Sequence, residues 1–193
     1  MKKTLIILSG CSGVGKNAVW KYIKENSKLN LEKVTTTTSR PIRKGETHGK
    51  EYYFISKEEF ETLISNNQLI EFATIHTNYY GSTLKSLENA SKKDIIPVYE
   101  VDFRGLKFFQ ETLKDNYEII SIFILPPSFE DLEKRLLTRG TETSEVIKIR
   151  IETAKKELEE VDIYDHRVIN DNIERVGEEI LDIIHSKIKN KKI

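Results

Sequence analysis

Four short runs of mostly apolar residues recur along the chain, and segments with helical spacing of apolar positions separate them. The runs lie at residues 5–8, 95–99, 119–125 and 167–169. Short apolar runs that alternate with helices are typical of a parallel sheet buried on both faces. The pattern therefore predicts an α/β fold with a parallel sheet core flanked by helices. Pro97 weakens the prediction for the second run, because proline has no N–H to donate to a strand ladder.

Two stretches of different composition interrupt this alternation. Residues 34–83 are rich in Thr, Tyr and Gly and predict short strands and turns around one helix, with Ser56 and Glu59 as its capping box. Residues 126–160 predict two helices in succession, and Ser128 is placed to cap the first. The chain reads as one domain with these two insertions, and its core comprises residues 1–33, 84–125 and 161–193.

A glycine-rich segment follows the first apolar run directly and leads into a helical pattern. It consists of Gly10, Cys11, Ser12, Gly13, Val14, Gly15, Lys16, Asn17 and Ala18. The spacing G-x-x-x-x-G-K lets backbone N–H groups point into the loop and puts Lys16 at the start of the helix, an arrangement that binds phosphate. Asn17 stands where Ser or Thr normally supplies a hydroxyl ligand to Mg²⁺, and Ala18 supplies none either.

An export signal is a competing interpretation of the N-terminus. Met1 and two lysines precede the apolar run, and the residues 8–11 resemble the cleavage box of a bacterial lipoprotein precursor. A secretory signal needs roughly 7 to 15 consecutive apolar residues, and the run at 5–8 is far shorter. The interpretation as a phosphate-binding loop is therefore favoured.

Composition narrows the possible partners. The 193 residues include 31 basic and 31 acidic side chains, so the whole molecule has no net attraction for nucleic acid or an anionic membrane. The single cysteine excludes an internal disulfide, and no apolar run has the length of a membrane span. The four histidines lack a repeated ligand spacing. We therefore expect a cytoplasmic protein without a nucleic-acid or membrane partner.

A second candidate anion site lies in the first insertion. Arg40 and Arg43 flank Pro41 and Ile42, and Pro41 disfavours helix at Arg40. The planar guanidinium group matches the oxygen atoms of phosphate. In isolation this segment would read as a solvated charged loop. Beside a phosphate-binding loop, it predicts a cradle for a second anionic ligand.

Six segments together resemble the guanylate kinase family along nearly the whole chain. They are residues 10–16, 38–52, 69–72, 78–83, 126–128 and 135–142, in the order and at the separations of that family. The resemblance implies a P-loop nucleoside monophosphate kinase fold, with residues 34–83 as the GMP-binding region and residues 126–160 as a helical lid. Two such insertions suit an enzyme that closes over two substrates and excludes water.

The resemblance also implies the reaction and its partners. The family transfers the γ-phosphoryl group of ATP to GMP with Mg²⁺, and the use of dGMP and the choice between monomer and homodimer stay open. Phosphoryl transfer needs mainly alignment and neutralisation of charge. By resemblance, the following residues supply these: Lys16, Arg40, Arg43, Arg139, Arg150 and Asp102.

Binding roles follow from the same resemblance, position by position. The GMP phosphate is assigned to Arg40, Arg43, Tyr52 and Tyr80. The guanine edge is assigned to Glu71, Ser82 and Thr36, and Glu100 and Asp102 are placed near the GMP ribose and the phosphates, respectively. ATP is assigned to the segment 10–18 with Arg135, Arg139 and Asn170, and Arg150 to the transferring group. A carboxylate at Glu71 can accept hydrogen bonds from guanine N1–H and the exocyclic amine, whereas adenine has no donor at N1.

Alternatives accompany these assignments. Glu71 could be a surface carboxylate on a strand, and Glu100 and Asp102 could simply pair with nearby Lys or Arg residues. The metal could be held by the amide oxygen of Asn17, or through water by Asp102, since Mg²⁺ retains several waters. The alternative function is a binding module that has lost its chemistry. Because Lys16 and the arginines are retained, an enzyme is favoured.

Overall fold

The computed structural model describes residues 2–75, 77–91, 95–138 and 144–189. The strands are β1 Lys3–Gly10, β2 Leu31–Lys33, β3 Thr37–Thr38, β4 Tyr53–Phe54, β5 Leu69–Ile75, β6 Asn78–Thr83, β7 Ile96–Tyr99, β8 Tyr117–Leu125 and β9 His166–Ile169. The helices are α1 Lys16–Asn26, α2 Lys57–Ser65, α3 Leu84–Ala90, α4 Phe103–Leu113, α5 Phe129–Thr138, α6 Ser144–Glu159 and α7 Ile173–Lys189, and a 3-10 turn spans Val161–Ile163.

The core is a five-stranded sheet in the order β2-β7-β1-β8-β9. Every neighbouring pair in it is parallel, and β1 lies in the middle. The apolar run at residues 5–8 is completely buried within β1, as a central strand covered on both faces requires. The predicted α/β class with a parallel sheet core is confirmed. The short strand β2 was missed, because only one of its three residues, Leu31, is buried.

Pro97 does lie inside an interior strand. The neighbouring Ile96 donates its N–H to Asn30 O at 2.9 Å, and Val98 O accepts from Val34 N at 2.9 Å, so both bond towards β2. Backbone groups alternate in direction along a strand, so the proline nitrogen faces β1. In β7, only Val98 and Tyr99, which follow the proline, are paired with residues of β1. The missing N–H therefore falls where no ladder bond is needed.

Residues 34–83 form the predicted short strands and turns around one helix. Their four-stranded sheet has the order β4-β3-β6-β5, with antiparallel pairs at β3–β6 and β5–β6. Helix α2 begins at the predicted capping box: Glu59 N donates to Ser56 Oγ at 3.1 Å, and Ser56 N donates to Glu59 Oε2 at 2.7 Å. Phe60 on α2 stacks on Tyr79 with ring centroids 5.1 Å apart. The helix therefore covers one face of this sheet.

The second insertion contains the two predicted helices, α5 and α6. Asp131 N donates to Ser128 Oγ at 3.1 Å, so the predicted cap at Ser128 is confirmed. Leu132 and Leu136 on α5 are buried.

Among the helices of the described residues, none combines the length and the apolar character that a membrane span requires.

Candidate active site

The glycine loop, residues 10–16, joins β1 to α1 at the carboxyl edge of the core sheet. Gly10, Gly13 and Gly15 all have positive φ angles, of 152°, 91° and 99°. Space is short as well: a Cβ atom at Gly10 would lie 2.6 Å from Ile124 O, and one at Gly15 would lie 2.7 Å from Asn170 Nδ2. Glycine is required at both positions for conformation and for room. The predicted tight loop before a helix is therefore present.

The ammonium group of Lys16 bonds to the loop itself. It donates to Gly10 O and, at 3.2 Å, to Cys11 O. Burial lowers the pKa of Lys16, while the carboxylates of Glu100 and Glu157 raise it. An ammonium group has three N–H donors, so these two bonds leave one hydrogen of Lys16 for a phosphate oxygen.

A hollow of about 210 Å³ adjoins this lysine. Three carboxylates line it together with Lys16: Glu100 and Asp102 from the segment between β7 and α4, and Glu157 from α6. Burial raises the pKa of Glu157, whose Oε2 atom is buried without a hydrogen-bond partner among the described residues. Glu157 is not among the residues predicted from the sequence. It lies three positions after the buried Ala154 on α6, and that spacing, which puts both on one helix face, could have indicated it.

The wall on the other side of the glycine loop is formed by Asn170 and Arg135. Asn170, only 4% exposed, donates from Nδ2 to Val14 O at 2.7 Å. Arg135 donates to the same carbonyl at 3.3 Å and to Asn170 O at 3.4 Å. These residues border a cleft of about 730 Å³ together with Gly13 and Gly15. The side-chain amide of Asn170 thus supports the loop, in addition to any contact with a ligand.

The remaining residues predicted on this side lie further out. Asn17 and Ala18 are exposed on the first turn of α1, and Ser12 is half-buried in the loop. Arg150 is half-buried on α6. Arg139 lies outside the described residues.

The small sheet brings together the residues predicted for the guanine edge. Glu71 on β5 is registered opposite Ser82 on β6, and Ser82 Oγ donates to Glu71 Oε1 at 2.7 Å. Burial raises the pKa of Glu71, and the bond from Ser82 opposes that shift. Thr36 is half-buried immediately before β3, where its carbonyl accepts from Tyr53 N at 2.8 Å. Glu71 is therefore not a freely solvated surface carboxylate.

Aromatic residues lie between this pair and Arg40. Tyr80 lies two positions before Ser82 on β6, and its ring meets Tyr52 edge-on with centroids 5.9 Å apart. The Arg40 guanidinium lies 5.4 Å from the centre of the Tyr52 ring, and Arg40 is only 7% exposed. Arg43 is exposed. Of the four residues predicted to bind the GMP phosphate, three pack against one another and the fourth, Arg43, is exposed.

Glu100 and Asp102 follow β7 at the carboxyl edge of the core sheet. Glu100 forms an ion pair with Lys33 at 2.9 Å. Asp102 caps α4 by accepting from Arg104 N and Gly105 N, both at 3.0 Å, and pairs with the Arg104 side chain at 2.6 Å. The alternative of pairing with nearby cations therefore holds for both carboxylates, although both also line the hollow beside Lys16.

Comparison with known proteins gives a consistent answer over the whole chain. The family model described as guanylate kinase matches residues 2–187. A guanylate kinase of Clostridium tetani (strain Massachusetts / E88) is 42% identical over 188 residues, which cover 96% of this chain and 87% of the relative. A guanylate kinase of Mycoplasmopsis pulmonis (strain UAB CTIP) is 40% identical over 188 residues, 96% of both chains. These relatives lend no support to a binding module that has lost its chemistry.

A solved structure agrees with the sequence relatives. The crystal structure of guanylate kinase from Anaplasma phagocytophilum matches with a TM-score of 0.75 and 31% sequence identity, covering 96% of this chain and 86% of that chain. The resemblance inferred from six motifs is thereby confirmed. Since sequence and fold agree over nearly its full length, the chain belongs to the guanylate kinase family and is a phosphotransferase.

Proposed function

We propose that this chain transfers the γ-phosphoryl group of ATP to GMP, giving ADP and GDP. The observation that carries the proposal is the position of Glu100 and Asp102 between two candidate anion sites. Both line the hollow beside Lys16. On the other side, burial raises the pKa of both Glu71 and Tyr52, and the charge of Asp102 adds to the shift at Glu71 while that of Glu100 adds to the shift at Tyr52. Both carboxylates therefore also lie within electrostatic range of residues assigned to GMP. Two phosphates held at these sites would meet at this edge of the sheet, where α/β folds bind ligands.

ATP would be held by the glycine loop. The backbone N–H groups of residues 10–18 and the ammonium of Lys16 suit the β- and γ-phosphates. The cleft of about 730 Å³ beside Gly13, Gly15 and Asn170 offers room for the rest of the nucleotide. Residues 126–160 would close over it as a lid, with three arginines contributed by that insertion: Arg135, Arg139 and Arg150.

GMP would be held by residues 34–83. The carboxylate of Glu71 accepts from guanine N1–H and the exocyclic amine, and the hydroxyl of Thr36 donates to O6. Ser82 has one hydroxyl hydrogen, which it donates to Glu71 Oε1 in the unliganded chain, so it donates to O6 only after that hydrogen turns to the base. Adenine would leave these buried groups unpaired, which penalises the wrong base by orders of magnitude. Arg40, Arg43, Tyr52 and Tyr80 would bind the phosphate, and Glu100 the ribose side of the nucleotide.

Mg²⁺ fits this site as a partner of ATP. The described residues hold no group of three His, Cys, Asp or Glu side chains placed to ligate a metal. Mg²⁺ bound with a nucleotide needs few protein ligands, because phosphate oxygens and water complete its octahedral shell. Asn17, through its amide oxygen, and Asp102, through water, are the side chains that would take part. When bound, the ion would supply positive charge that neutralises the phosphates during transfer.

The protein would contribute alignment and positive charge, without a dedicated base. The GMP phosphate oxygen attacks the γ-phosphorus in line as the bond to the ADP oxygen breaks. Negative charge spreads over the three γ-oxygens, and cations aimed at these oxygens stabilise it. The cations that we assign to this role are Lys16, Arg40, Arg43, Arg139 and Arg150.

A coupled assay for ADP release tests this proposal. With saturating ATP and Mg²⁺, we expect turnover that depends on GMP and stays near background with AMP or UMP. ADP release at background with GMP would refute the proposal, and preference for another monophosphate would reassign the substrate. Separate calorimetric titrations of ATP and GMP complete the test, since binding of GMP without turnover would identify a binding module.

A further inference from the structure

The carboxylate of Glu46 accepts hydrogen bonds from two arginines of its own loop, residues 39–52, which we call the arginine loop. Its Oε2 atom accepts from Arg40 Nη1 at 2.7 Å and from Arg43 N at 2.8 Å, and its Oε1 atom accepts from Arg40 Nη2 at 2.6 Å. A turn brings it there: Glu46 N donates to Arg43 O at 3.1 Å, with Gly45 at φ 90° in the left-handed region that favours glycine. Glu46 is therefore locked to both arginine positions.

This ion pair is shielded from solvent. The side chains of Arg40 and Glu46 are only 8% and 19% exposed. The Arg40 guanidinium also lies over two aromatic rings, 5.4 Å from the centre of Tyr52 and 5.3 Å from that of Phe54. The hydrogen bonds from Arg40 hold the pKa of Glu46 at about 2, so the carboxylate is ionised at neutral pH. A shielded charge of this kind is held in one orientation by its partner.

The geometry of the pair leaves one edge of the guanidinium available. Among the described residues, Arg40 uses one Nη1 hydrogen and one Nη2 hydrogen on Glu46 and its other Nη1 hydrogen on Pro41 O, at 2.9 Å. Arginine has five N–H donors, so Nε and the second Nη2 hydrogen remain. These two hydrogens point along the same edge, which is the geometry that binds two oxygens of one phosphate.

We propose that Glu46 is a positioning residue for GMP: it holds Arg40 by one edge of the guanidinium so that the Nε and Nη2 edge faces the GMP phosphate. This inference rests on the proposed function, in which Arg40 binds that phosphate. Glu46 does not touch the nucleotide. It acts by fixing the direction of two donors and by balancing a charge that is shielded from water.

The test compares Glu46→Gln with Glu51→Gln. Glu51 lies in the same loop and accepts from Thr47 N at 2.7 Å, so its substitution removes a loop carboxylate without touching Arg40. We expect Glu46→Gln to weaken GMP binding at least about tenfold in calorimetry without ATP, because it removes one partner of a shielded charge pair. KM for GMP rises in parallel, KM for ATP stays within about twofold, and Glu51→Gln behaves as the unaltered chain does.

Guanosine separates positioning from general damage to the fold. It carries the base and ribose but no phosphate, so Glu46→Gln should leave the affinity for guanosine unchanged while it weakens GMP. Equal loss for both ligands would mean that Glu46 only supports the fold of the loop, and would overturn the proposal. Unchanged or tighter GMP binding would overturn it too, since Glu46 would then be idle or a competitor of the phosphate.

The aspartate variant and the binding readout complete the design. Glu46→Asp keeps the charge but shortens the reach, and should recover part of the GMP affinity lost in Glu46→Gln. Because GMP binding is measured without ATP, the result holds even if the chain proves not to transfer phosphate. Failure of turnover in the unaltered chain contradicts the proposed function, whereas failure of the GMP and guanosine contrast contradicts the role of Glu46.

Discussion

The glycine loop and the arginine loop are both suited to hold a phosphate, but they are built differently. The glycine loop is shaped by its main chain. Three of its glycines have positive φ angles, and Lys16 donates hydrogen bonds to carbonyl groups of the loop. The arginine loop relies on side chains, because Arg40 is oriented by the carboxylate of Glu46. A main-chain site is sensitive to added atoms, whereas a side-chain site is sensitive to lost charge.

Lys16→Met tests the one side-chain cation of the glycine loop. We expect kcat to fall about 10²- to 10³-fold, the cost of removing a donor aimed at developing charge. GMP binding in calorimetry should be unchanged, because GMP belongs to the other site. Lys21→Met is the matched control, since Lys21 lies on the same helix and pairs only at 3.9 Å with Glu25 at its exposed surface. A variant at Lys16 that retains full turnover would remove this lysine from the mechanism.

Glu71→Gln tests the carboxylate that is assigned to the guanine base. We expect GMP affinity to fall roughly 10- to 100-fold, because an amide can no longer accept both guanine donors. AMP should be discriminated against less strongly. Parallel kinetics with both monophosphates measure the change, and equal losses for the two would argue against base recognition at this position.

The pH dependence of GMP binding provides a second measurement on Glu71. Burial raises the pKa of this carboxyl above its ordinary value of 4.5. As the pH falls through the raised pKa, protonation removes the acceptor, and GMP binding should weaken. The unliganded fold should gain stability over the same range, because the folded state binds the proton more tightly than the unfolded chain does. Glu71→Gln should reduce both effects. The part of the stability change that remains is expected from Glu157, whose pKa burial also raises, whereas an undiminished response of GMP binding would point to another group.

Two glycine substitutions compare the loops directly. Gly15 and Gly45 have similar positive φ angles, 99° and 90°, but a Cβ atom at Gly15 would lie 2.7 Å from Asn170 Nδ2, while one at Gly45 would meet nothing within 4 Å. Gly45→Ala should cost only backbone strain, about 1–2 kcal/mol in the free energy of unfolding. Gly15→Ala should add the cost of overpacking, about 1–3 kcal/mol more, and should also weaken ATP binding. Chemical denaturation of both variants gives the comparison, and equal costs would contradict the tight contact at Gly15.

Asn17→Ser restores the hydroxyl that usually follows the lysine of such loops. If this position takes part in metal binding, we expect either a higher kcat or a lower Mg²⁺ concentration for half-maximal turnover, by up to about tenfold. A Mg²⁺ titration of turnover measures it. Asn26→Ser, at the far end of α1, is the control and should not change the titration. An unchanged titration for Asn17→Ser would leave Asp102 and water as the metal contacts of the protein.

Local constraints made much of the fold and of the glycine loop predictable. Glycine spacing between an apolar run and a helix specifies a turn that few other residues can adopt, and Ser56 with Glu59 specifies a helix start. Apolar runs without alternation indicated the parallel sheet. The strand at residues 31–33 was not predicted, because two of its three residues are exposed and it therefore contains no apolar run. These features depend on residues that lie close together along the chain.

The tertiary structure alone decided which partners the candidate site residues have. Asn170 reaches Val14 from 156 positions away, and Glu157 on α6 comes to lie beside Lys16 at the start of α1. Arg40 and Glu46 are only six positions apart, but which edge of the guanidinium stays available follows from the bonds that Arg40 makes to Glu46 and Pro41 in the folded loop. The sequence determined the local shape of each loop, because backbone conformation depends on adjacent residues. The fold determined which side chains face one another, because that depends on the packing of elements far apart in the chain.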